Sequence, residues 1–263
     1  MKRHGYIIGG QVQGVGFRPF VYRAATRLRL TGHVGNTSDG VRVEVQGTDE
    51  ALAAFAHALE HELPPLAQIT SLRREELPLA DGEAAFAIAH SEGHHGHAVL
   101  VSPDVATCGN CLADMRDPAN RRYRYPFTNC TDCGPRYTIT HSIPYDRATT
   151  SMSCFPLCPD CAAEYNDPLD RRFHAQPNAC PVCGPKVWLA SAPEGDPRIP
   201  GPELAEGQRA IERTAAALRA GNIVAVKGLG GFHLVCDATS SEAIALLRER
   251  KCRPHKSLAI MVP

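Results

Sequence analysis

The sequence carries no excess charge of either sign. Lys plus Arg and Asp plus Glu are each 28, which removes any general case for a nucleic-acid or membrane-surface partner. No apolar stretch approaches membrane-spanning length, and Met1-Lys2-Arg3-His4 leads straight into a short strand-like run with no secretory leader. A reducing cytoplasm is the expected compartment. What is there is enough for several cores: 263 residues at 43% hydrophobic composition accommodate two or three modules.

Eight of the eleven cysteines lie between Cys108 and Cys183 as four Cys-x-x-Cys pairs: Cys108/Cys111, Cys130/Cys133, Cys158/Cys161 and Cys180/Cys183. The first two pairs return fifty positions later in the last two. Their surroundings return as well: Asp117-Pro118 as Asp167-Pro168, Arg121-Arg122-Tyr123 as Arg171-Arg172-Phe173, and Cys133-Gly134-Pro135 as Cys183-Gly184-Pro185. This is an internal duplication. A Cys-x-x-Cys turn converges two thiolates on one soft cation, so eight cysteines predict two closed tetrahedral zinc sites with no open position for a catalytic water. Disulfides compete on count alone, but adjacent pairs suit metal better. Both local closure of each half and an embrace of inner by outer pairs respect the duplication. Arg121-Arg122-Tyr123-Arg124-Tyr125 mixes basic and aromatic side chains as nucleic-acid loops do; its echo at Arg171-Arg172-Phe173-His174 favours arginine stems packed on rings near the metal. Cys154 falls outside the repeat and reads as a small buried apolar residue.

In residues 1–90, strands are expected over 5–12, 31–36, 41–46, 67–74 and 84–90, with helices over 19–30 and 49–62. Thr37-Ser38-Asp39-Gly40 supplies a hairpin turn. That order predicts a ferredoxin-like sandwich. Gln13-Gly14-Val15-Gly16-Phe17-Arg18 is a glycine-rich turn running into a helix. Its backbone N–H groups can cradle an anion, with Arg18 forking onto phosphate oxygens; alone, such a turn is more often only a tight turn. By itself, Asn36 reads as part of a capped turn.

Gln11-Val12-Gln13-Gly14-Val15-Gly16-Phe17-Arg18 together with Gly32-His33-Val34-Gly35-Asn36-Thr37-Ser38-Asp39-Gly40 resembles the two signatures of acylphosphatases. The resemblance implies that Gln13, Gly14, Val15, Gly16, Phe17 and Arg18 bind a phosphoryl group while Asn36 orients the attacking water.

Residues 91–107 read as a linker, and His94, His95 and His97 receive no role there. Residues 108–190 form the zinc module, and 191–206 read as a second linker. In 207–263 a helix over 208–220 closed by Gly221, a buried strand over 223–227, the turn Gly228-Leu229-Gly230-Gly231, a strand over 232–236, a helix over 241–250 capped by Ser240 and a strand over 258–262 are expected. Apolar surface left uncovered at the last strand suggests that the protein continues. The run Lys251-Cys252-Arg253-Pro254-His255-Lys256 can bind a triphosphate, or be a solvated basic helix end. With Lys227-Gly228-Leu229-Gly230-Gly231-Phe232-His233-Leu234 it resembles the opening of the YrdC-like fold, which implies nucleotide contacts from Lys251, Arg253 and Lys256. Cys252 and Ser257 depart from that family's usual basic residue and proline.

The whole is thus an α+β multidomain chain: a ferredoxin-like acylphosphatase sandwich, a duplicated zinc module with four cysteines to each site, and a partial α/β YrdC-like domain. Taken together, these signatures resemble the carbamoyltransferases of [NiFe]-hydrogenase maturation. That resemblance implies two structural zinc ions, carbamoyl phosphate hydrolysis, ATP as co-substrate for carbamoyl-adenylate formation, and transfer to the partner HypE. The residues here would perform the first step but not the transfer. A tRNA-modifying enzyme of the threonylcarbamoyl type and a zinc-dependent interaction module are the alternatives.

Overall fold

In the computed structural model, residues 1–37, 40–89, 101–193 and 200–262 are described. Ser38 and Asp39 of the expected turn, the three linker histidines and parts of both expected linkers lie outside them. The chain divides into two units, Met1–Pro185 and Lys186–Pro263.

The first unit opens with β1 (Lys2–Gln11), α1 (Phe17–Arg27), β2 (Thr31–Thr37), β3 (Gly40–Gly47), α2 (Asp49–His61), β4 (Gln68–Leu77) and β5 (Phe86–Ile88). The sheet order is β4-β1-β3-β2-β5, antiparallel except for the β2–β5 pair, which is the ferredoxin-like arrangement with one added edge strand. Its centre is set by alternation. Val41, Val43 and Val45 of β3 share one face and a core with Phe17, Phe20, Val21 and Ala24 of α1 and Leu52, Phe55 and Leu59 of α2. Each large side chain so buried contributes about 1.5–3 kcal/mol.

The two helices start differently. The Thr48 side chain caps α2 by accepting the Ala51 N–H at 3.3 Å, with Asp49 and Glu50 in the first turn. At α1 the cap is Gly16, left-handed at φ 74°, with no side-chain cap and no acid in the first turn. Its positive end is therefore not neutralised by its own sequence. The helix begins two residues before the expected start at Pro19, because proline's missing N–H costs nothing in a first turn. This puts Arg18 inside that turn.

The duplication is visible in the backbone. Each half starts with a helix on its first Cys-x-x-Cys pair, α3 (Gly109–Arg116) and α4 (Pro159–Asn166). Each half turns back through one left-handed residue, Arg124 at φ 55° and His174 at φ 53°. Their N–H groups donate to Met115 O at 2.9 Å and Tyr165 O at 3.0 Å. Between the halves, residues 137–155 run through three short 3-10 turns. Cys154, expected to be buried, is exposed, its thiol donating to Ser151 O at 3.2 Å at the end of one such turn.

In the second unit β6 (Trp188–Ala190) pairs antiparallel with β7 (Glu203–Glu206), so the expected linker over 191–206 ends in a strand. Then come α5 (Gly207–Arg219), the antiparallel hairpin of β8 (Val224–Gly228) and β9 (Gly231–Val235), and α6 (Ser241–Arg250), capped by the Ser240 side chain. Burial is expected for the strand over 223–227, yet Val226 is exposed, as are Phe232 and Leu234 opposite: the hairpin is a two-stranded sheet by itself. Residues 258–262, expected as a strand, form none, since no ladder forms beside them among the described residues.

Candidate functional site

The glycine turn after β1 holds its shape through left-handed backbone at Gly14 (φ 72°) and Gly16 (φ 74°), a region that penalises any side chain. Gln13 is buried and works as a fastener. Its Nε2 donates to Thr37 O at 2.9 Å and Gly40 O at 2.7 Å, and its Oε1 accepts the Tyr145 N–H at 2.9 Å. Arg18, on the first turn of α1, is 9% exposed at its side chain and pairs through Nη2 with Asp146 Oδ1 at 2.7 Å. Asn36, on β2, is 1% exposed; its Nδ2 donates to Tyr145 O at 3.2 Å, while its Oδ1 accepts no hydrogen bond from the described residues. The turn, Arg18 and Asn36 therefore converge, but they do not form the site alone.

The facing wall is supplied by the zinc module. Thr131, Arg136, Tyr145, His174 and Gln176 line a cavity of about 20 Å³ opposite Gly14, Gly16 and Arg18, large enough for a water. Arg136 reaches Gly14 O through Nε while its Nη atoms donate to the carbonyls of Cys130, Thr131, Cys133 and Pro135 at 2.8–3.1 Å. One buried guanidinium thus ties a metal loop to the glycine turn. Burial pushes the Tyr145 phenol up to about 12. Nothing local in the sequence announces Arg136, Tyr145, Asp146 or His174. The one available signal concerns Tyr145 and Asp146 alone, which stand between the two copies of the repeat.

Burial, then the neighbouring Arg18, lowers the His174 imidazole to about 4, so it is neutral in the folded protein. The unfolded chain takes up this proton near 6.5 and the folded protein only near 4, so stability from this group is present above pH 6.5 and is lost as pH falls towards 4. His174→Asn keeps a residue suited to left-handed backbone. It should flatten the fall in denaturation midpoint between pH 7 and pH 5 relative to wild type.

The cysteine sulfurs form two local clusters, Cys108, Cys111, Cys130 and Cys133, and Cys158, Cys161, Cys180 and Cys183. This settles the arrangement that the duplication left open. The Cys108–Cys130 and Cys158–Cys180 sulfurs are 3.7 Å apart, and the Cys130–Cys133 and Cys180–Cys183 sulfurs 3.8 Å. Four thiolates about 2.3 Å from a zinc ion form a tetrahedron with edges of about 3.8 Å, so both clusters fit that ion.

The arginines do not chiefly pack on rings, as expected; among the four repeat arginines the sulfurs and acids of the other half are the partners. Arg121 donates to Cys161 Sγ at 3.3 Å, and Arg122 grips Glu164 at 2.8 and 2.5 Å and donates to Ala179 O at 2.8 Å. Reciprocally, Arg171 donates to Cys111 Sγ at 3.0 Å and pairs with Asp114, while Arg172 binds Asp114 at 2.5 Å and Asn129 O at 3.1 Å. Each half thus supplies cations to the other half's thiolate cluster, which carries excess negative charge once zinc is bound by four thiolates. Burial opposes ionisation of Glu164, yet Arg122 and Arg121 hold its carboxyl down at about 2. Arg122→Met, which leaves a largely buried carboxylate with Arg121, a more distant Arg172 at 3.9 Å and the Asn178 amide, should cost roughly 3 kcal/mol, read as a lower denaturant midpoint.

In the second unit, Lys251 is the C-cap of α6, and Arg248 collects the carbonyls of Arg253, Pro254 and Lys256 at 3.2, 3.3 and 2.9 Å. Sequence reasoning does not single out Arg248, but it organises the basic run that such reasoning does find. Lys227 lies 5.1 Å from the Phe232 ring centroid.

Family comparison matches residues 4–88 to the acylphosphatase model, 107–140 and 157–190 to the HypF finger, and 216–263 to the Sua5/YciO/YrdC model described as telomere recombination. Carbamoyltransferase HypF2 of Cupriavidus necator is 52% identical over 97% of this chain and 31% of its own length. The crystal structure of full-length HypF in its phosphate- and nucleotide-bound form superposes with a TM-score of 0.86 at 44% identity, over 98% of this chain and 32% of that one. An acylphosphatase of Bacillus licheniformis is 37% identical over 34% of this chain and all of its own. The chain spans about a third of the length of the carbamoyltransferases it matches. Among the described residues no helix is long and apolar enough to cross a membrane.

Proposed function

This chain belongs to the HypF carbamoyltransferase family, and from that premise we propose that its first module hydrolyses carbamoyl phosphate to carbamate and phosphate. The observation that carries the reading is the convergence of Arg18 and the uncapped start of α1 on one cavity, with the buried Asn36 tied to its wall through Tyr145 O and its Oδ1 left to accept. The amides of Gly14 to Phe17 and the guanidinium of Arg18 hold the phosphoryl oxygens. Asn36 Oδ1 accepts a hydrogen bond from the water that attacks phosphorus. The bond from phosphorus to the bridging oxygen breaks, and carbamate leaves with that oxygen. No strong base is required, because phosphoryl transfer depends chiefly on position and on stabilising equatorial charge.

The two four-cysteine clusters hold zinc ions that fix the module bearing Tyr145 and Asp146, and a closed four-thiolate site supplies rigidity and no chemistry. In the whole protein, carbamate is carried to an ATP-dependent adenylation in the YrdC-like region, with Lys251, Arg253 and Lys256 among its nucleotide contacts. The carbamoyl group then goes to HypE. A cytoplasmic setting keeps the thiolates reduced and available to zinc. The test is phosphate release from carbamoyl phosphate without ATP by this chain and by Arg18→Ala, corrected for spontaneous breakdown. Release by the wild type that is lost in the variant is expected; no release by folded, zinc-loaded wild type would refute it.

A further inference from the structure

We propose that Arg136 is a positioning residue for the phosphoryl cradle: it holds the Gly14 carbonyl so that the Val15 N–H is left to the anion, and through its other donors it makes phosphate and zinc bind cooperatively. The inference rests on the hydrolytic reading above and goes beyond it, to a linkage between the glycine turn and the first cysteine cluster.

The turn does not hold its own shape. Among the described residues none accepts a hydrogen bond from the N–H of Gly14, Val15, Gly16 or Phe17, and the left-handed glycines at 14 and 16 leave the peptides between them easy to turn over. One donor settles the first of these peptides. Arg136 Nε donates to Gly14 O, and because a trans peptide points its C=O and N–H in opposite directions, the Val15 N–H is turned away from Arg136. Turned over, the same peptide would set a carbonyl oxygen where the cradle needs a donor, and that oxygen repels an anion. Gly14 also lets the arginine come close: a Cβ there would lie 3.1 Å from Arg136 Cδ and 3.3 Å from Tyr145 Cε1. The other four N–H groups of Arg136 go to main-chain carbonyls of a single loop, those of Cys133 and Pro135 from Nη1 and those of Cys130 and Thr131 from Nη2. All the donors of a guanidinium are thus engaged, so Arg136 acts on a substrate through Gly14 and not by contact. Two of the loop carbonyls belong to cysteines of the first cluster, so a loop that changes shape when zinc leaves carries the guanidinium, and with it the Gly14 peptide. The duplication supplies a comparison. After Cys183-Gly184-Pro185, where the second half has its equivalent place, stands Lys186, which is half exposed and pairs with Glu206 at 3.3 Å. Closing a four-cysteine loop therefore does not require this arginine; reaching Gly14 does.

The test uses zinc-loaded wild type, Arg136→Lys and Lys186→Met, with inorganic phosphate as the probe and circular dichroism and zinc content as folding controls. Lysine keeps the charge, but one ammonium cannot span Gly14 O and the loop carbonyls together. In Arg136→Lys the inhibition constant for phosphate should rise roughly 10-fold and kcat/KM for carbamoyl phosphate should fall roughly 10- to 100-fold, whereas Lys186→Met should match wild type. Linkage is reciprocal, so with free zinc clamped by a chelator, saturating phosphate should raise the zinc affinity of wild type by the same factor of about 10, and by much less in Arg136→Lys. A role confined to stability would lower the denaturation midpoint of Arg136→Lys and leave its phosphate constant unchanged, which overturns the inference. Should that variant lose zinc or its fold, wild type alone decides: phosphate that inhibits without altering zinc affinity overturns the inference and leaves the hydrolytic reading standing. Wild type that neither binds phosphate nor releases it from carbamoyl phosphate overturns both.

Discussion

Removal of zinc by a strong chelator should unfold residues 101–185 while leaving the β1–β5 sandwich folded, so that one protein shows two separate responses. The apolar interior available to the module is small: beyond the cysteines themselves, its buried cluster is Tyr125, Met152 and Ala179, with Tyr145, Phe173 and Ala175 buried outside it. At about 1.5–3 kcal/mol for each large side chain, that cluster falls short of the roughly 10–16 kcal/mol that a zinc ion contributes to a small Cys-rich fold. The sandwich, in contrast, has its own core from Tyr6 to Phe86, which contains none of the cysteines. Limited proteolysis with mass mapping separates the outcomes: cleavage confined to the module after chelation is expected, and full protection of both without zinc would contradict it. The crossed arginines add a finer expectation. Cys130→Ser damages one cluster, yet Arg171 and Arg172 connect that half to the other. Zinc stoichiometry should therefore fall below one per chain, not stop at one.

Features made by neighbours in the chain are legible in the sequence itself. The Gly14 and Gly16 turn, the cap at Ser240 and the fifty-residue return of the cysteine pairs depend on residues within a few positions or on repetition, and each has a local physical cause. The partners of Arg121, Arg122, Arg171 and Arg172 are not legible. A duplicated sequence offers every arginine two equivalent acids, its own half's and the other's, and only the packing of the halves chooses Glu164 for Arg122 and Asp114 for Arg172. Asp146 is harder still. It lies in the segment without a repeat counterpart and meets Arg18 across 128 positions of sequence, a pairing that composition and periodicity cannot encode. The exposed β8–β9 hairpin departs from expectation for another reason: an apolar run predicts burial, but burial needs a second layer, which the described residues do not supply.

Arg18→Ala should lower kcat/KM for acyl phosphate hydrolysis about 1,000-fold or more, some 4 kcal/mol of transition-state stabilisation. Removing one fixed donor from a developing oxyanion typically costs about 100- to 1,000-fold, and a guanidinium carries several donors together with a full charge. The site gives that charge unusual weight, since its side chain is only 9% exposed and the wall from the zinc module restricts water. Arg18→Lys should recover only a small part, because an ammonium brings charge without the planar fork. The difficulty lies in Asp146. Alanine at position 18 also strands that carboxylate, so lost activity alone would not separate catalysis from a disturbed wall. The double variant Arg18→Ala/Asp146→Ala removes both charges and should regain most of the denaturation midpoint lost in Arg18→Ala. If its phosphate release stays as low as in the single variant, the guanidinium acts on the substrate. If release returns along with stability, Arg18 only holds the zinc module in place, and the catalytic reading of the turn fails.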